Sequence, residues 1–334
     1  MNFLVRFAFV GMLALVLYLG IPNGGIEQMA GSKSNAVVLI MNGTEGQKGG
    51  AIGTGFIIDD NLIVTNNHVI ANGDTILIRG KTSQKIYKAK LIATDKFSDL
   101  ALVKLDDWQD FAMTNMPGKL EFDSSRDLKV GSKVWSIGHP WGLEWSISQG
   151  VVSSPSRRLD GNINFLIQTD TRIYEGNSGG PLLDEDGKVI GVNDKMMANT
   201  GGSFGLAIPS DLATKVIEDL KLRGKVTWAV MGIKMGYTED GKNVMVKEVI
   251  PGSAADKAGV KVNDIILNIM TPHTPLTGIA VSNTNQLLDE MAVIHIDDAV
   301  TLGIKRDGQL SNVNVKPDGK DSKELMPADK PANK

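Results

Sequence analysis

Gly176-Asn177-Ser178-Gly179-Gly180-Pro181 sets a serine in a tight turn between glycines, where no neighbouring side chain obstructs an approaching carbonyl. A glycine-rich β-turn is the ordinary reading of such a segment taken alone. Two further stretches change it. Thr65-Asn66-Asn67-His68-Val69 brings a histidine to the end of an expected strand, and Ser98-Asp99-Leu100-Ala101-Leu102-Val103 sets an aspartate before an apolar run. A serine hydroxyl is a weak nucleophile at its own pKa, so a base must take its proton and later return it to the leaving group. His68, Asp99 and Ser178, in that chain order, supply base, orienting carboxylate and nucleophile. Backbone N–H groups of Gly176, Asn177 and Ser178 are the candidate donors to a developing oxyanion.

Around this constellation the chain alternates short apolar stretches with Gly and Asn/Asp turns. Strands are expected at Ile52–Ile58, Leu62–Ile70, Thr75–Arg79, Lys88–Thr94, Leu100–Leu105, Lys133–Ile137 and Phe165–Thr169, a spacing that suits barrels or sandwiches. Ser210 behind Pro209 reads as a helix N-cap, with Leu212, Val216, Ile217 and Leu220 on one stripe and Gly224 as the stop. A second, smaller unit follows over 228–316, with strands near Met231–Met235, Val244–Val249, Asp264–Ile269 and Val300–Lys305 and a helix across Thr284–Val293. It reads as an α+β module. The tail from Pro317 to Lys334 is rich in charge and proline and is expected to be disordered.

The 334 residues carry 35 Lys+Arg against 38 Asp+Glu, a net charge of −3, which offers no field for a phosphate backbone and disfavours a nucleic-acid partner. The absence of cysteine removes disulfides, thiolate metal sites and a cysteine nucleophile. No His/Asp/Glu grouping stands at metal spacing, so neither a metal nor a cofactor is expected. Of the 4 histidines, His139 falls in a Gly-Pro turn and reads as structural, while His273 and His295 read as surface residues.

Residues 1–25 are a targeting segment: Phe7 to Ile21 is apolar apart from glycine and follows Arg6. With Phe3 to Val5 included, a helix reaches about 28 Å, close to the roughly 30 Å of a bilayer core. An uncleaved anchor and a cleaved signal peptide both remain open. Either exports the rest of the chain, in a bacterium to the periplasmic face of the inner membrane or to the periplasm.

The stretches Gly53 to Ile58, Thr65 to Val69, Asp99 to Lys104, Gly138-His139-Pro140-Trp141-Gly142, Ile167-Gln168-Thr169-Asp170 and Gly176 to Pro181 together resemble the Deg/HtrA family of trypsin-fold serine proteases. The resemblance implies a mainly β fold: a double six-stranded β-barrel protease over 31–224, with its active site between the barrels. Met231 to Met235 and Val249 to Val260 resemble a PDZ domain, here 228–316. That resemblance implies capture of apolar C-termini at Met231, Gly232, Ile233, Lys234 and Met235, against the helix near Asn285–Met291. Simple packing of the module against the protease is the alternative.

Similarity to the membrane-anchored, single-PDZ branch further implies a homotrimer, peptide-gated cleavage of misfolded or regulatory proteins in a stress response or protein quality control, and a sensor arginine at Arg157, otherwise an ordinary solvated arginine. Ile173, Leu206, Ala207 and Ile208 would wall a pocket for small or aliphatic side chains, although Arg172 occupies the position six before the nucleophile. Two departures stand out: Glu175 replaces a family arginine, and Ala30–Gly50 lacks the aromatics that family trimers pack. The segment Asn42–Gly50 is short, without the long regulatory insertion of the large-cage relatives. A PDZ chaperone or adaptor with little proteolysis is the competing function.

Overall fold

The computed structural model describes residues 31, 33–44, 50–159, 165–199 and 202–325. The expected N-terminal anchor or signal lies outside them. Among the described residues no helix is long and apolar enough to cross a membrane.

Two closed six-stranded barrels form the first domain. The first contains β1 (Val37–Gly43), β2 (Ala51–Asp59), β3 (Leu62–Asn66), β4 (Thr75–Arg79), β5 (Ile86–Asp95) and β6 (Leu100–Leu105), in the order β1-β2-β3-β6-β5-β4. The second contains β7 (Lys133–Gly138), β8 (Ser146–Arg158), β9 (Phe165–Thr169), β10 (Pro181–Leu183), β11 (Val189–Asn199) and β12 (Gly202–Pro209), in the order β10-β11-β12-β9-β8-β7. Alternation of side chains gives each strand an inward row: Val38, Ile40, Ile57, Ile63, Ile78 and Val103 fill the first barrel. Val134, Val152, Ile167, Leu182 and Ile190 fill the second. A larger cluster, including Phe56, Leu100, Leu102, Ile137, Leu206 and Ile208, joins the barrels to one another.

Three helices modify this plan. The expected strand Leu62–Ile70 stops at Asn66 and continues as one helical turn, α1 (Asn67–Ile70). The cause is Asp99, whose carbonyl accepts Asn67 N–H at 3.0 Å and whose Oδ1 accepts His68 N–H at 2.9 Å, satisfying N–H groups that a strand would have left to a neighbour. Helix α2 (Trp108–Asn115) was not expected from the sequence; Asp107 caps it by accepting from Asp110 N–H at 3.2 Å. Helix α3 (Ser210–Arg223) ends at Gly224 as expected, but Ser210 is its first residue, and its hydroxyl donates to Asp123 O at 2.5 Å instead of capping.

The second domain is a six-stranded sheet from β14 (Ile233–Tyr237), β15 (Val244–Val249), β16 (Ile265–Met270), β17 (Ile279–Ala280), β18 (Val300–Arg306) and β19 (Gln309–Val315), with α4 (Ala254–Lys257) and α5 (Thr284–Ala292). A capping box between Asn283 and Gln286 fixes the start of α5. Beside it β13 (Thr227–Val230) pairs antiparallel with β20 (Asp318–Asp321), and α6 (Ser322–Leu325) follows. The expectation of a disordered tail is thereby corrected for residues 318–325. Trp228 Nε1–H donates to Ser322 Oγ at 2.9 Å and the Ser322 hydroxyl donates to Asp95, so a segment poor in apolar surface is held by ladder and side-chain hydrogen bonds. Residues 326–334 lie outside the described chain.

His295 is also not a simple surface residue. It lies between the domains, with Nε2 3.1 Å from Glu218 and Nδ1 3.4 Å from Asp219 on α3. His273 is exposed, at 42% of its side chain.

Candidate active site

His68 is presented by α1 at the end of a first-barrel strand, and Asp99 by the turn entering β6. Asp99 takes φ 58, a left-handed conformation uncommon for a residue with a side chain, which aims its carboxylate back at α1. His68 Nδ1 lies 2.5 Å from Asp99 Oδ2. Asn66 Nδ2–H donates to the Asp99 carbonyl at 2.9 Å, and Asn67 and His68 N–H complete the clamp. Four hydrogen bonds thus fix the pair. Burial works against a charged imidazole, but the bond to Asp99 and the charges of Asp99 and Asp194 outweigh it and raise the His68 pKa above its ordinary value.

Ser178 comes from the turn before β10, in the second barrel. Thr54 N–H donates to the Ser178 carbonyl at 2.9 Å across the barrel interface, which sets the nucleophile's turn against the histidine's barrel. The turn requires glycine: Gly176 has φ 100 and Gly179 has φ 84. A Cβ on Gly176 would sit 2.2 Å from the His139 carbonyl oxygen, and one on Gly179 2.2 Å from the Thr54 carbonyl oxygen.

The turn's donors divide unequally. Asn177 N–H is spent on the Tyr174 carbonyl at 2.9 Å, and its side chain is tied to Arg172 O at 3.1 Å, so the expectation that Asn177 donates to an oxyanion is corrected. Gly176 and Ser178 N–H have no acceptor among the described residues. The Ser178 hydroxyl donates to the Asp194 carbonyl at 2.8 Å, and among the described residues no hydrogen bond joins it to His68. The serine hydroxyl is thus held by the residue whose carboxylate lies beside His68.

His139 is fully buried in the turn after β7. Its Nδ1 is 3.0 Å from Thr54 Oγ1, whose own proton goes to the Gly176 carbonyl at 2.6 Å, so the imidazole carries its proton on Nδ1. Burial, and secondarily the charge of Arg79, push its pKa down to about 3. A neutral histidine thus buttresses the serine turn.

The four expected pocket residues do not converge. Ile173, Leu206, Ala207 and Ile208 are all buried. Ile173 packs against Gly205. Alternation along β12 sends Leu206 and Ile208 to the inter-barrel core and Ala207 into the second barrel. Of the four, Ile208 reaches the cavity of about 440 Å³ that His68, Asp99 and Asp194 share. Arg172 is exposed.

Arg157 is exposed and donates from Nε to Gln168 Oε1 at 3.0 Å. Its neighbour Arg158 reaches Asp289 on α5, and Ser156 donates to the same carboxylate at 2.7 Å. The contact from this strand end to the second domain is thus made by Arg158, while Arg157 stays on the first domain with Gln168.

In the second domain Gly232 takes φ 79, and Met231 and Gly232 carbonyls accept from Ala255 and Ile250 N–H at 2.9 Å each. This opens a groove between β14 and α5 lined by Ile233, Met235, Leu287 and Met291, with Met231 and Gly232 at its end. Lys234 points outward to Glu248 at 2.7 Å. Phe97, two residues before Asp99, packs edge-on to Trp228 at 4.8 Å and lines both this groove and the cavity at His68.

Asp194 escaped the sequence reading. Ligand-capable atoms of His68, Asp99 and Asp194 all lie within 4.8 Å of one another. The 2.5 Å contact of His68 Nδ1 with Asp99 is a hydrogen bond too short for a shared ion, since two ligands about 2 Å from a metal stand about 3 Å apart. An aspartate just beyond the apolar run that opens β11, after Asn193, was the available signal.

Residues 53–192 match the trypsin-like peptidase domain family and residues 229–316 the PDZ domain family. Over 286 residues the chain is 35% identical to a probable periplasmic serine endoprotease DegP-like of Marinomonas sp., covering 81% of this chain and 57% of that protein. The corresponding protein of Rickettsia conorii is 38% identical over 283 residues, with 79% and 53% covered. The chain thus spans about half the length of these curated relatives. Among solved structures, the HtrA-type protease AlgW with tripeptide superposes with a TM-score of 0.67 at 25% identity, covering 87% of this chain and 96% of that one. The serine endoprotease from Yersinia pestis gives 0.59 at 29% identity, with 90% and 100% covered. A trypsin-like barrel pair joined to a PDZ module, with both sequence and structural relatives of that type, makes this chain a member of the Deg/HtrA family.

Proposed function

We propose that the chain is a serine endopeptidase acting by acyl transfer, with His68, Asp99 and Ser178 as its catalytic residues. The observation that carries this reading is the clamped His68–Asp99 pair facing a glycine turn in which Gly176 and Ser178 hold two uncommitted N–H groups. Ser178 Oγ turns from Asp194 O to His68 Nε2, gives up its proton there and bonds to the scissile carbonyl carbon. Gly176 and Ser178 N–H receive the oxyanion. His68 then protonates the leaving amine as the C–N bond breaks; water, deprotonated by His68, attacks the acyl carbon, and Ser178 recovers its proton. Asp99 holds the imidazole tautomer and stabilises the imidazolium.

The names of the relatives support a periplasmic site of action. The N-terminal apolar segment supports either an inner-membrane anchor or export by cleavage. The groove at Gly232 and Ile233 suits peptides ending in apolar residues, the carboxylate meeting backbone N–H groups of that loop. Binding there would govern cleavage of misfolded or regulatory proteins, in a homotrimer.

The test is hydrolysis of an unfolded casein-type protein by the full chain, with and without peptides ending in apolar residues, beside Ser178→Ala. Turnover that survives Ser178→Ala overturns the mechanism; turnover indifferent to peptide removes the gating and leaves the protease.

A further inference from the structure

The pairing of β11 with β12 shifts register at one place: Asn193 pairs with Ala207 and Lys195 with Leu206, leaving Asp194 as the extra residue between them. Such a bulge bends a strand and re-aims a side chain. Here it turns the Asp194 carboxylate inward, where the side chain is 7% exposed, while the Asp194 carbonyl accepts the Ser178 hydroxyl at 2.8 Å. One residue touches the nucleophile through its backbone and stands beside the base through its side chain.

The carboxylate's surroundings pull on its charge in opposite directions. His68 on α1 and Asp99 on the turn before β6 lie within 4.8 Å of it by their ligand atoms. From its own strand Lys195 Nζ approaches Asp194 Oδ2 at 3.2 Å. Lys96 lines the same cavity, and the facing β9 and β12 contribute only the apolar Leu166 and Ile208. Burial raises the Asp194 pKa, with Asp99 adding to the effect, while Lys195 and His68 oppose it. Two carboxylates and one imidazole thus share a site that trypsin-type chemistry needs to hold only one carboxylate and one imidazole.

We propose that Asp194 is a positioning residue of the catalytic centre: its anionic carboxylate, beside the His68–Asp99 pair, stabilises the protonated imidazole, while its carbonyl holds the Ser178 hydroxyl in the resting state. The inference rests on the proposed serine-protease reading and specifies it. The sign of its effect follows from charge. A second anion favours the imidazolium, and only neutral His68 accepts the serine proton, so Asp194 moves the onset of activity to higher pH. Its removal moves that onset down, by about one pH unit or tenfold in proton affinity for a charge at this separation.

The experiment is the rate of fluorophosphonate labelling of the full chain as a function of pH, in which Ser178 Oγ forms a bond to phosphorus and fluoride leaves. Labelling needs no knowledge of the peptide substrate. The unsubstituted chain, Asp194→Asn, Asp194→Ser and Ser178→Ala are compared, with thermal unfolding as the check on folding. The expected result is labelling of the unsubstituted chain but not of Ser178→Ala, with the acid limb shifted down in both Asp194 variants. Labelling with an unmoved limb overturns the role of Asp194 and leaves the protease reading intact. Failure of the unsubstituted chain to label overturns both. Should the variants not fold, histidine NMR of the unsubstituted chain decides: His68, identified by its shift on phosphonylation, is expected to titrate above the ordinary imidazole value, and titration at or below that value overturns the proposal.

Discussion

Ser322 donates its hydroxyl to Asp95, a residue 227 positions earlier on the first barrel, and receives Trp228 Nε1–H at 2.9 Å in return. The other Asp95 oxygen accepts Ser98 N–H at 2.7 Å, one residue before Asp99. The chain's last described helix is therefore tied to the turn that carries the orienting carboxylate. Ser322→Ala leaves Asp95 and Trp228 each short of a buried partner and is expected to lower stability by about 1–3 kcal/mol. Removal of residues 317–334 takes away β20 as well and should cost more. Urea unfolding of the full chain measures both.

Gly176→Ala is expected to lower turnover by about 100-fold, because the added Cβ meets the His139 carbonyl 2.2 Å away at a φ of 100 and the turn can relieve the clash only by moving an oxyanion donor. Kinetics on a small peptide substrate would show the loss in kcat more than in KM.

Thr54→Val removes the link between His139 and the Gly176 carbonyl. His139 Nε2 already lacks a partner, so the variant leaves the whole imidazole unbonded in the interior. A stability loss of about 1–3 kcal/mol is expected, with reduced turnover. Unfolding and steady-state rates on the same preparation separate the two effects.

The same histidine sets an acid limit. Its pKa is about 3 when folded against 6.5 ordinarily, so between these values the unfolded chain binds a proton that the native chain does not. Stability is expected to fall as pH drops below about 6.5 and to keep falling towards about 3. His139→Gln should flatten that slope, measured as the unfolding midpoint against pH.

Arg158→Ala leaves Asp289 with Ser156 as its remaining partner. Hydrogen exchange is expected to quicken in Thr284–Ala292 while the second barrel's core strands stay protected. Equal protection in both proteins would show that the domains dock without this pair.

What the sequence revealed and what it concealed follow the range of the interactions. The barrels were legible because alternating apolar residues and Gly or Asn/Asp turns are local signals, and the His68–Asp99 pair because its chemistry needs recognisable residue types. The helical turn at His68 was not, since the N–H groups that make it helical are satisfied by Asp99, 31 residues away. Order in residues 318–325 depends on pairing with Thr227–Val230, and no composition count registers a ladder partner. Asp194 went unread because its significance lies in a register shift against Ala207 and Leu206. Arg157 and Arg158 differ by one step along β8, and only the placement of α5 decides which meets a carboxylate.

Phe97 gives the two domains a common wall. One face of its ring borders the groove of the second domain, and its backbone leads within two residues to the carboxylate that orients His68. The groove and the cavity at His68 are thus separated by one aromatic side chain. Under the proposed gating, occupancy of the groove reaches the His68 cavity through this one ring, so shrinking it is expected to couple or merge the two spaces.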